Sequence, residues 1–471
     1  MRRTPVLLGL AAVLAGGAAL DRVERPETPV VGTVGTEEMP VAAPASALSS
    51  TWYCAGGSGQ ADSAFHSFVT VANPGEEPIT GSVTVVPEQG DPKVVPLSVP
   101  AFGSAGVAVA DVLPAAYAAA FVDLDGGQAV VEHSISGRAG TATAPCASAA
   151  SSRWYFADGA TAKDATLALA LYNPFPDDAI VDLAFSTDEG RAAPADFQGV
   201  VVPAGRLVVK DIGEHVRRRE AIATEVVARS GRLVADQLQV RTAPGVAGVS
   251  LRLGAPAPGD VWYFPDGFAA DGLVERYTVF NPGDREALVD VELTLDEGAA
   301  EPFELTVPPR ERVTVVSNDE ARVPKGVGHS AVVRSINGVP VVAERSVAAA
   351  PPSDRLGRED VRGARRTARQ WAFAVGSASP SRDEWIVVHN PGPVDATFDV
   401  TGLADGQPLA IEGLQGVKLP AGRRVALRLG ERVQRDVLPV VVRADRPVVA
   451  ERALFAVGGP GLAGSVGIPL D

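Results

Sequence analysis

The chain has 471 residues and a net charge of −15, with 46% hydrophobic and 21% charged residues. This balance excludes wholesale disorder, and the negative charge argues against nucleic-acid binding, because that affinity depends on neutralising phosphates. Two Cys and five His are too few for Cys-rich or multi-metal zinc architectures, whereas 49 Gly and 38 Pro favour many short strands joined by turns.

Residues 1–20 have the pattern of an export signal. Arg2 and Arg3 precede an apolar run, Val6–Leu20, as in the charged and apolar regions of a secretory signal peptide. The run is shorter than the ~17–25 residues of a usual membrane span, yet Asp21 follows it without a clear cleavage motif. We therefore expect either a cleaved signal peptide or an uncleaved N-terminal membrane anchor.

The charges around this segment predict that the rest of the chain is extracytoplasmic, because positive residues precede the apolar run and acidic residues follow it. The protein is expected to be secreted, or to be held at the membrane by this segment alone. Residues 21–49 are rich in Pro and acidic residues, and we predict that they form a linker.

From residue 50 onward, the chain repeats one unit four times. Each unit opens with a Trp-containing motif, continues through an Asn-Pro pair and a Val-Pro or Leu-Pro pair, and closes on an acidic residue. The opening residues are Trp52, Trp154, Trp262 and Trp371. The closing acids are Glu132, Asp236, Glu344 and Glu451. The landmarks predict repeats at residues 50–150, 151–259, 260–350 and 370–471, with an Arg-rich linker at 351–369.

Each unit has the pattern of antiparallel β-structure. Apolar runs such as SFVTVANPG and RYTVFNPG end at the Asn-Pro turn, and alternating runs such as LVDVELTL follow. Asn337-Gly338 predicts a hairpin turn late in the third repeat, and Asp125-Gly126 holds the same place in the first. About seven short strands in roughly 105 residues are typical of an immunoglobulin-like β-sandwich, so we predict an all-β chain of four such repeats.

The opening motifs predict the main core anchors, because Trp and the residue two positions later share one face of a strand. The predicted anchors are Trp52, Trp154, Phe156, Trp262, Phe264, Trp371 and Phe373. In the first repeat Cys54 replaces the Phe, and the only other cysteine, Cys146, ends the same repeat. In an exported chain this pair predicts a disulfide, the alternative being two buried free thiols.

The set of motifs resembles tandem repeats of secreted actinobacterial proteins, among them an exported, N-terminally anchored family of unknown function. The clearest matching segments are Trp154 to Gly159, Pro203 to Arg206, Asn281 to Gly283 and Val341 to Arg345. The resemblance covers about residues 50–471 and implies a cell-envelope location and β-sandwich repeats. It implies no reaction, because that family has no assigned catalytic residues.

No catalytic, cofactor-binding or metal-binding motif stands out. The His residues lack metal-ligand spacing, and neither a nucleophile elbow nor a phosphate-binding loop in strand-to-helix context occurs. The four closing acids could act in acid–base catalysis, but this needs two carboxylates a few Å apart. We favour a scaffold role for them, as an ion pair with the following Arg or a hydrogen bond that closes a loop. Asp123 and Asp125 resemble part of a calcium loop, but a turn is favoured there.

Residues 351–369 form the one basic segment of an acidic chain. Its arginines are Arg355, Arg358, Arg362, Arg365, Arg366 and Arg369. A solvated linker is the simplest interpretation. The functional alternative is an electrostatic contact with anionic wall polymers or phospholipid headgroups.

Three hypotheses for function follow. The first is a non-enzymatic cell-envelope protein, a rod of four sandwiches that acts as scaffold, spacer or adhesion surface. The second is a binding module for wall glycans or for a protein partner in envelope assembly, which solvent-exposed rings near Tyr53, Tyr155 and Tyr263 would support. The third is an enzyme with a site between repeats, for which a deep polar cleft containing non-repeated residues would be the signature.

Overall fold

The computed structural model describes residues 39–58, 65–298, 300–404 and 406–470. The expected signal or anchor at residues 1–20, and most of the expected linker, lie outside the described residues. The described residues belong to one compact unit, Glu38–Asp471. Within that part of the chain, no helix combines the length and apolarity that a membrane crossing requires.

The described chain is built almost wholly from short strands, which fall into four groups. The first repeat contains β1 (Ser50–Cys54), β2 (Phe65–Asn73), β3 (Ile79–Pro87), β4 (Lys93–Val99), β5 (Gly103–Ala108), the short helix α1 (Val109–Val112), β6 (Ala118–Leu124), β7 (Val130–Gly137) and β8 (Gly140–Pro145). The second contains β9 (Arg153–Phe156), β10 (Ala165–Asn173), β11 (Ala179–Thr187), β12 (Gly190–Ala192), β13 (Val200–Val202), β14 (Arg206–Asp211), β15 (Ile222–Ser230), β16 (Val234–Arg241) and β17 (Gly248–Leu253).

The remaining two groups follow the same order. The third repeat contains β18 (Val261–Phe264), β19 (Leu273–Phe280), β20 (Ala287–Leu295), β21 (Phe303–Val307), β22 (Arg312–Val316), β23 (His329–Ser335), β24 (Val342–Ala349) and β25 (Gly357–Arg362). The fourth contains β26 (Ala368–Phe373), β27 (Arg382–His389), β28 (Ala396–Ala404), β29 (Gln407–Ala410), β30 (Val417–Leu419), β31 (Arg424–Arg428), β32 (Val440–Ala456), β33 (Leu462–Val466) and β34 (Ile468–Pro469). Single 3-10 turns lie at Ala195–Phe197, Ile212–Glu214, Ser317–Asp319 and Leu429–Glu431.

Each repeat folds into two antiparallel sheets that share one apolar core. The sheet orders are β1-β6-β3-β4 with β5-β2-β7-β8 in the first repeat and β18-β23-β20-β21 with β22-β19-β24-β25 in the third. In the second repeat β9-β15-β11, extended by β12 and β13, accompanies β14-β10-β16-β17. In the fourth repeat the long strand β32 serves both sheets: it pairs with β26 and β28, and further along with β27 and β33.

The predicted all-β fold of four sandwich repeats is therefore confirmed, but two finer expectations are not. In the immunoglobulin order the first two strands share a sheet, whereas β1 and β2 lie in different sheets. The predicted hairpin at Asn337-Gly338 is wrong, because β23 pairs with β18 and β20 while β24 pairs with β19 and β25. The equivalent hairpin at Asp125-Gly126 is wrong for the same reason, because β6 pairs with β1 and β3 while β7 pairs with β2 and β8. The turn at Asn337-Gly338 is real, with Gly338 at φ +68°, but it carries the chain from one sheet to the other.

The Asn of each Asn-Pro pair explains why this landmark recurs together with the Val-Pro or Leu-Pro landmark. In the third repeat, the Asn281 side chain donates to the carbonyls of Arg285 (2.7 Å) and Val307 (3.0 Å) and accepts from the backbone of Gly283 (2.9 Å). Equivalent bonds occur at Asn73, Asn173 and Asn390. One buried amide thus holds a turn against the end of another strand, which fixes the spacing of both landmarks.

The opening Trp residues lie in the apolar cores of the four sandwiches. The side chains of all four opening Trp residues are almost completely buried. Three of them donate from Nε1 to a backbone carbonyl: Trp154 to Leu233, Trp262 to Val341 and Trp371 to Val448, at 2.8–2.9 Å.

The Phe anchors face glycines that close their repeats. A Cβ added to Gly254, Gly363 or Gly467 would lie 2.8–2.9 Å from the ring of Phe156, Phe264 or Phe373, respectively. In the first repeat a disulfide occupies this place: Cys54 stands where the others have Phe, and Cys146 where they have Gly, with the two Cα atoms 4.6 Å apart. The two sequence departures of the first repeat are therefore one paired exchange.

The four sandwiches close into a ring rather than a rod. Each core cluster also contains residues of the preceding repeat: Ala55 joins the second core, Tyr155 the third and Val361 the fourth. The first core contains Ile468 and Leu403 of the fourth repeat. Because the first and last repeats pack on each other, the rod in the first functional hypothesis is wrong.

The segments expected to be linkers contribute to this ring. Residues 357–362 form β25, the edge strand beside β24, so this part of the Arg-rich segment belongs to the third repeat. At the other end, Met39 packs into the core of the fourth repeat, and the Ala42 amide donates to the Pro469 carbonyl at 2.9 Å. These residues therefore belong to the folded unit.

Exchanging the disulfide for the Phe–Gly pair should convert the first repeat to the packing of the others. We expect the free energy of unfolding of Cys54→Phe/Cys146→Gly to be within about 2 kcal/mol of that of the oxidised wild type. Adding a reductant should not change the stability of this variant. Cys54→Phe alone should be about 1–3 kcal/mol less stable than the double variant, because the Cβ of Cys146 occupies the space of the ring.

Chemical denaturation with and without reductant measures both effects. The oxidised wild type, which should lose about 2–5 kcal/mol on reduction, is the control. A double variant no more stable than Cys54→Phe would contradict the paired exchange.

Candidate functional site

The centre of the ring is formed by the last strand of each repeat. β8, β17, β25 and β33 contact one another in sequence, and β33 returns to β8. Glycines at the start of these strands allow the approach: a Cβ on Gly357 would lie 3.1 Å from the Gly461 nitrogen, and one on Gly140 would lie 3.6 Å from the Gly461 Cα. Around this centre, the closing acids lie at the interfaces between repeats.

Each closing acid accepts a hydrogen bond from the backbone of the preceding repeat. The donor is always the residue two positions after the Phe or Cys of the opening motif. The four bonds run from Gly56 to Asp236 (2.7 Å), Asp158 to Glu344 (2.8 Å), Asp266 to Glu451 (3.1 Å) and Val375 to Glu132 (2.7 Å). All four acids are almost fully buried, so the same bond recurs at every interface and closes the ring between the fourth repeat and the first.

The residue after each acid reaches the opposite interface. Arg345 donates to Glu451 of the fourth repeat at 2.8 Å, and Arg452 donates to both carboxylate oxygens of Glu132 at 2.8 and 3.1 Å. Neighbouring residues of a strand point to opposite faces, so an acid cannot pair with the Arg that follows it. The predicted ion pair within one repeat is therefore wrong; the Arg pairs with the acid of the next repeat.

The second repeat has Gln237 at this position, and another residue supplies its cation. Arg252 on β17 donates to Glu344 at 2.7 Å and to the Asp158 carbonyl at 2.6 Å. Arg358, from the basic segment, pairs with the Asp158 carboxylate at 3.2 Å. Burial alone would raise the pKa of Asp158, but the surrounding guanidinium groups lower it to about 2, so this carboxylate is ionised at neutral pH.

The middle residue of the opening motif also belongs to an interface. Tyr155 is buried in the core cluster of the third repeat, and Ala372 in that of the first. Tyr53 and Tyr263 are half-buried against the cores of the second and fourth repeats. These tyrosines thus do not form the exposed aromatic surface that would have supported glycan binding.

The basic segment does not form a single patch. Arg358 is buried, Arg362 donates to the Gly254 carbonyl, and Arg365 lies over the Trp262 ring at 4.8 Å. Arg355, unlike Arg358, forms no ion pair with a carboxylate in the described part of the chain. Instead its guanidinium carbon lies 3.7 Å from the ring centre of Phe455 and 5.7 Å from that of Trp385.

Arg355 lines an open groove of about 550 Å³ between the third and fourth repeats. Trp385, the one Trp outside the opening motifs, forms part of its wall and is half-buried. Arg424 fixes the two sides together through Asp296 (2.8 Å) and Asp266 (3.3 Å) of the third repeat. The groove therefore contains an aromatic surface and a guanidinium group that forms no ion pair. Its two walls are held together by the Arg424 ion pairs.

One titratable cluster outside the groove, formed by Glu275, Ser317 and His329, is closed to solvent. Glu275 accepts from Ser317 at 2.8 Å and contacts His329 Nε2 at 2.7 Å, and both Glu275 and His329 are fully buried. Ser317 and His329 thus share one carboxylate, and a substrate has no access to them. In the described residues, no group of three or more His, Cys, Asp or Glu side chains is placed to hold a metal ion.

Sequence comparison places this tandem sandwich protein in a family. The profile of DUF5719, a family of unknown function, matches residues 126–361 and 257–461, and the chain belongs to this family. No curated protein matches the chain.

Three solved structures that resemble parts of this chain have low overall similarity to it. Thermotoga maritima 1070 is 21% identical with a TM-score of 0.21, covering 23% of this chain and 94% of its own. The Anabaena sensory rhodopsin transducer is 27% identical with a TM-score of 0.17, covering 18% and 94%. A Streptomyces avermitilis α-L-rhamnosidase complexed with L-rhamnose is 10% identical with a TM-score of 0.13, covering 82% and 54%.

The pair that closes the ring can be tested directly. Arg452→Met should cost about 3–5 kcal/mol, because it leaves the Glu132 carboxylate buried without its cation. Glu132→Gln/Arg452→Met should recover most of this loss, since no buried charge remains unpaired.

Chemical denaturation of the full chain measures both variants. The exposed Arg446→Met, in the same repeat, is the matched control and should change stability by less than about 0.5 kcal/mol. If Arg452→Met were no more destabilising than this control, the ring-closing role would be refuted.

Proposed function

We propose that the protein is a non-enzymatic, extracytoplasmic component of the cell envelope that binds an acidic saccharide in the groove between its third and fourth repeats. The ring of sandwiches is the scaffold that holds this groove. The observation that carries the proposal is the pairing of Trp385 with an Arg355 guanidinium that lacks a carboxylate partner. The export pattern of residues 1–20 supports the location.

The groove has the chemical features that an acidic sugar requires. The face of an indole ring packs against the C–H face of a pyranose, and a half-buried Trp offers such a face at low entropic cost, because it has few rotatable bonds. A guanidinium group binds a carboxylate or phosphate through paired hydrogen bonds. Trp385 and Arg355 therefore supply the two contacts that distinguish an acidic saccharide from a neutral one.

The groove is also preorganised. Arg424 donates to Asp296 and to the His329 carbonyl (2.7 Å), which ties β31 of the fourth repeat to the third. The indole Nε1 of Trp385 donates to Asp383 at 3.0 Å, which orients the ring. A site whose walls are already fixed loses less entropy on binding.

Binding of oligogalacturonate, a uronic-acid probe, tests the proposal by calorimetry at low salt, with neutral dextran as the comparison. Trp385→Ala should weaken binding of the probe by about tenfold or more. Arg355→Gln should abolish the preference for the acidic probe and reduce the salt dependence of binding, because the paired charge is lost.

The second repeat offers a matched control. There Arg232 lies 5.1 Å from the ring centre of Phe175, a similar surface pair outside the groove. Phe175→Ala and Arg232→Gln should leave binding unchanged. Failure of the wild type to bind the acidic probe, or equal losses in control and groove variants, would refute this function.

A further inference from the structure

A second cavity, of about 230 Å³, lies between the first and second repeats. Its wall is mainly apolar and includes Phe65, Ile135, Ala170, Val209 and Leu238. Four polar side chains also line it, those of Ser58, Tyr117, Thr166 and Asp236. Of these residues, Ser58 and Asp236 are more than nine-tenths buried. This cavity shares no lining residue with the groove between the third and fourth repeats.

The interface around this cavity departs from the other three. Arginines bind the closing acid at each of the other interfaces, whereas here the basic side chain beside Asp236 is that of His133, whose Nε2 is 3.5 Å from Asp236 Oδ2. The other ring nitrogen of His133 contacts the Gly56 carbonyl at 2.6 Å. Burial lowers the pKa of His133 to about 4, so the imidazole is neutral at pH 7 and supplies no counter-charge.

Two polar atoms at the cavity are left without a partner among the described residues. Asp236 Oδ2 accepts from the Gly56 amide at 2.7 Å, but Oδ1 has no hydrogen bond. Ser58 Oγ also has none. Buried polar atoms without partners are costly, and those that persist in a native structure call for an explanation such as a ligand.

We infer that this cavity binds a small, mostly apolar molecule that carries a hydroxyl group. A hydroxyl can donate to Asp236 Oδ1 and accept from Ser58 Oγ, which satisfies groups that apolar walls cannot. A cavity of about 150 Å³ accommodates benzene, so this volume suits a molecule somewhat larger, with roughly eight to ten heavy atoms. An alkylphenol has this size and this single polar group.

Titration of the full chain with p-cresol, followed by calorimetry and ligand-observed NMR, tests the inference. We expect saturable 1:1 binding with a Kd on the order of 0.1–1 mM. Toluene has the same ring and methyl group without the hydroxyl, and it should bind at least fivefold more weakly. Absence of saturable p-cresol binding up to its solubility limit would overturn the site.

Variants locate the binding. Ala170→Leu fills the cavity and should abolish p-cresol binding, whereas Ala193→Leu, on the exposed surface of the same repeat, should leave it unchanged. Asp236→Asn retains an acceptor for the Gly56 amide but replaces the second carboxylate oxygen with an NH2 group, which cannot accept from the hydroxyl, so it should reduce the preference for p-cresol over toluene. If Ala170→Leu proves unfolded by circular dichroism, the Asp236→Asn comparison still decides. Equal p-cresol and toluene affinities in the wild type would overturn the role of the hydroxyl.

Discussion

Four buried carboxylates, each bonded to the backbone of the preceding repeat, hold the ring together. A carboxylate removed from water is costly unless hydrogen bonds and a cation compensate it, and here the compensating groups come from other repeats. The Glu132–Arg452 pair joins residues 320 positions apart in the chain. The interfaces therefore require one another, because a single repeat taken from the ring would leave its buried acid without the backbone donor of the preceding repeat.

The ring also explains the uniformity and the exceptions of the repeat. A residue that meets the same environment four times keeps its chemical type, as the opening Trp and the Asn of Asn-Pro do. Exceptions come in compensating sets. The Cys54–Cys146 disulfide stands where the other repeats have a Phe packed on a Gly. Arg252 provides the cation that Gln237 cannot provide. A departure at one landmark thus points to its contact partner.

Both candidate binding sites lie where the fourfold pattern is broken. The groove between the third and fourth repeats is built around Trp385 and Arg355, which have no place in the repeated motif. The cavity between the first and second repeats exists where His133 replaces the arginine found at the same position in the last two repeats. A repeated scaffold supplies rigidity, and the non-repeated side chains give two of its interfaces their own chemistry.

The sequence by itself determined the all-β class, the four repeats, the strand runs before and after Asn-Pro, and the pairing expected of the two cysteines, because these follow from local periodicity and from recurring landmarks. It could not determine the ring, the crossing between sheets at Asn337-Gly338, or the partner of each Arg. Such contacts join residues that are separated in the sequence by about one repeat or more. The alternation of side chains along a strand shows only that Glu344 and Arg345 point to opposite faces of their sheet. Which repeat lies on each side was decided by the tertiary packing, since only a closed ring brings every buried acid to a donor.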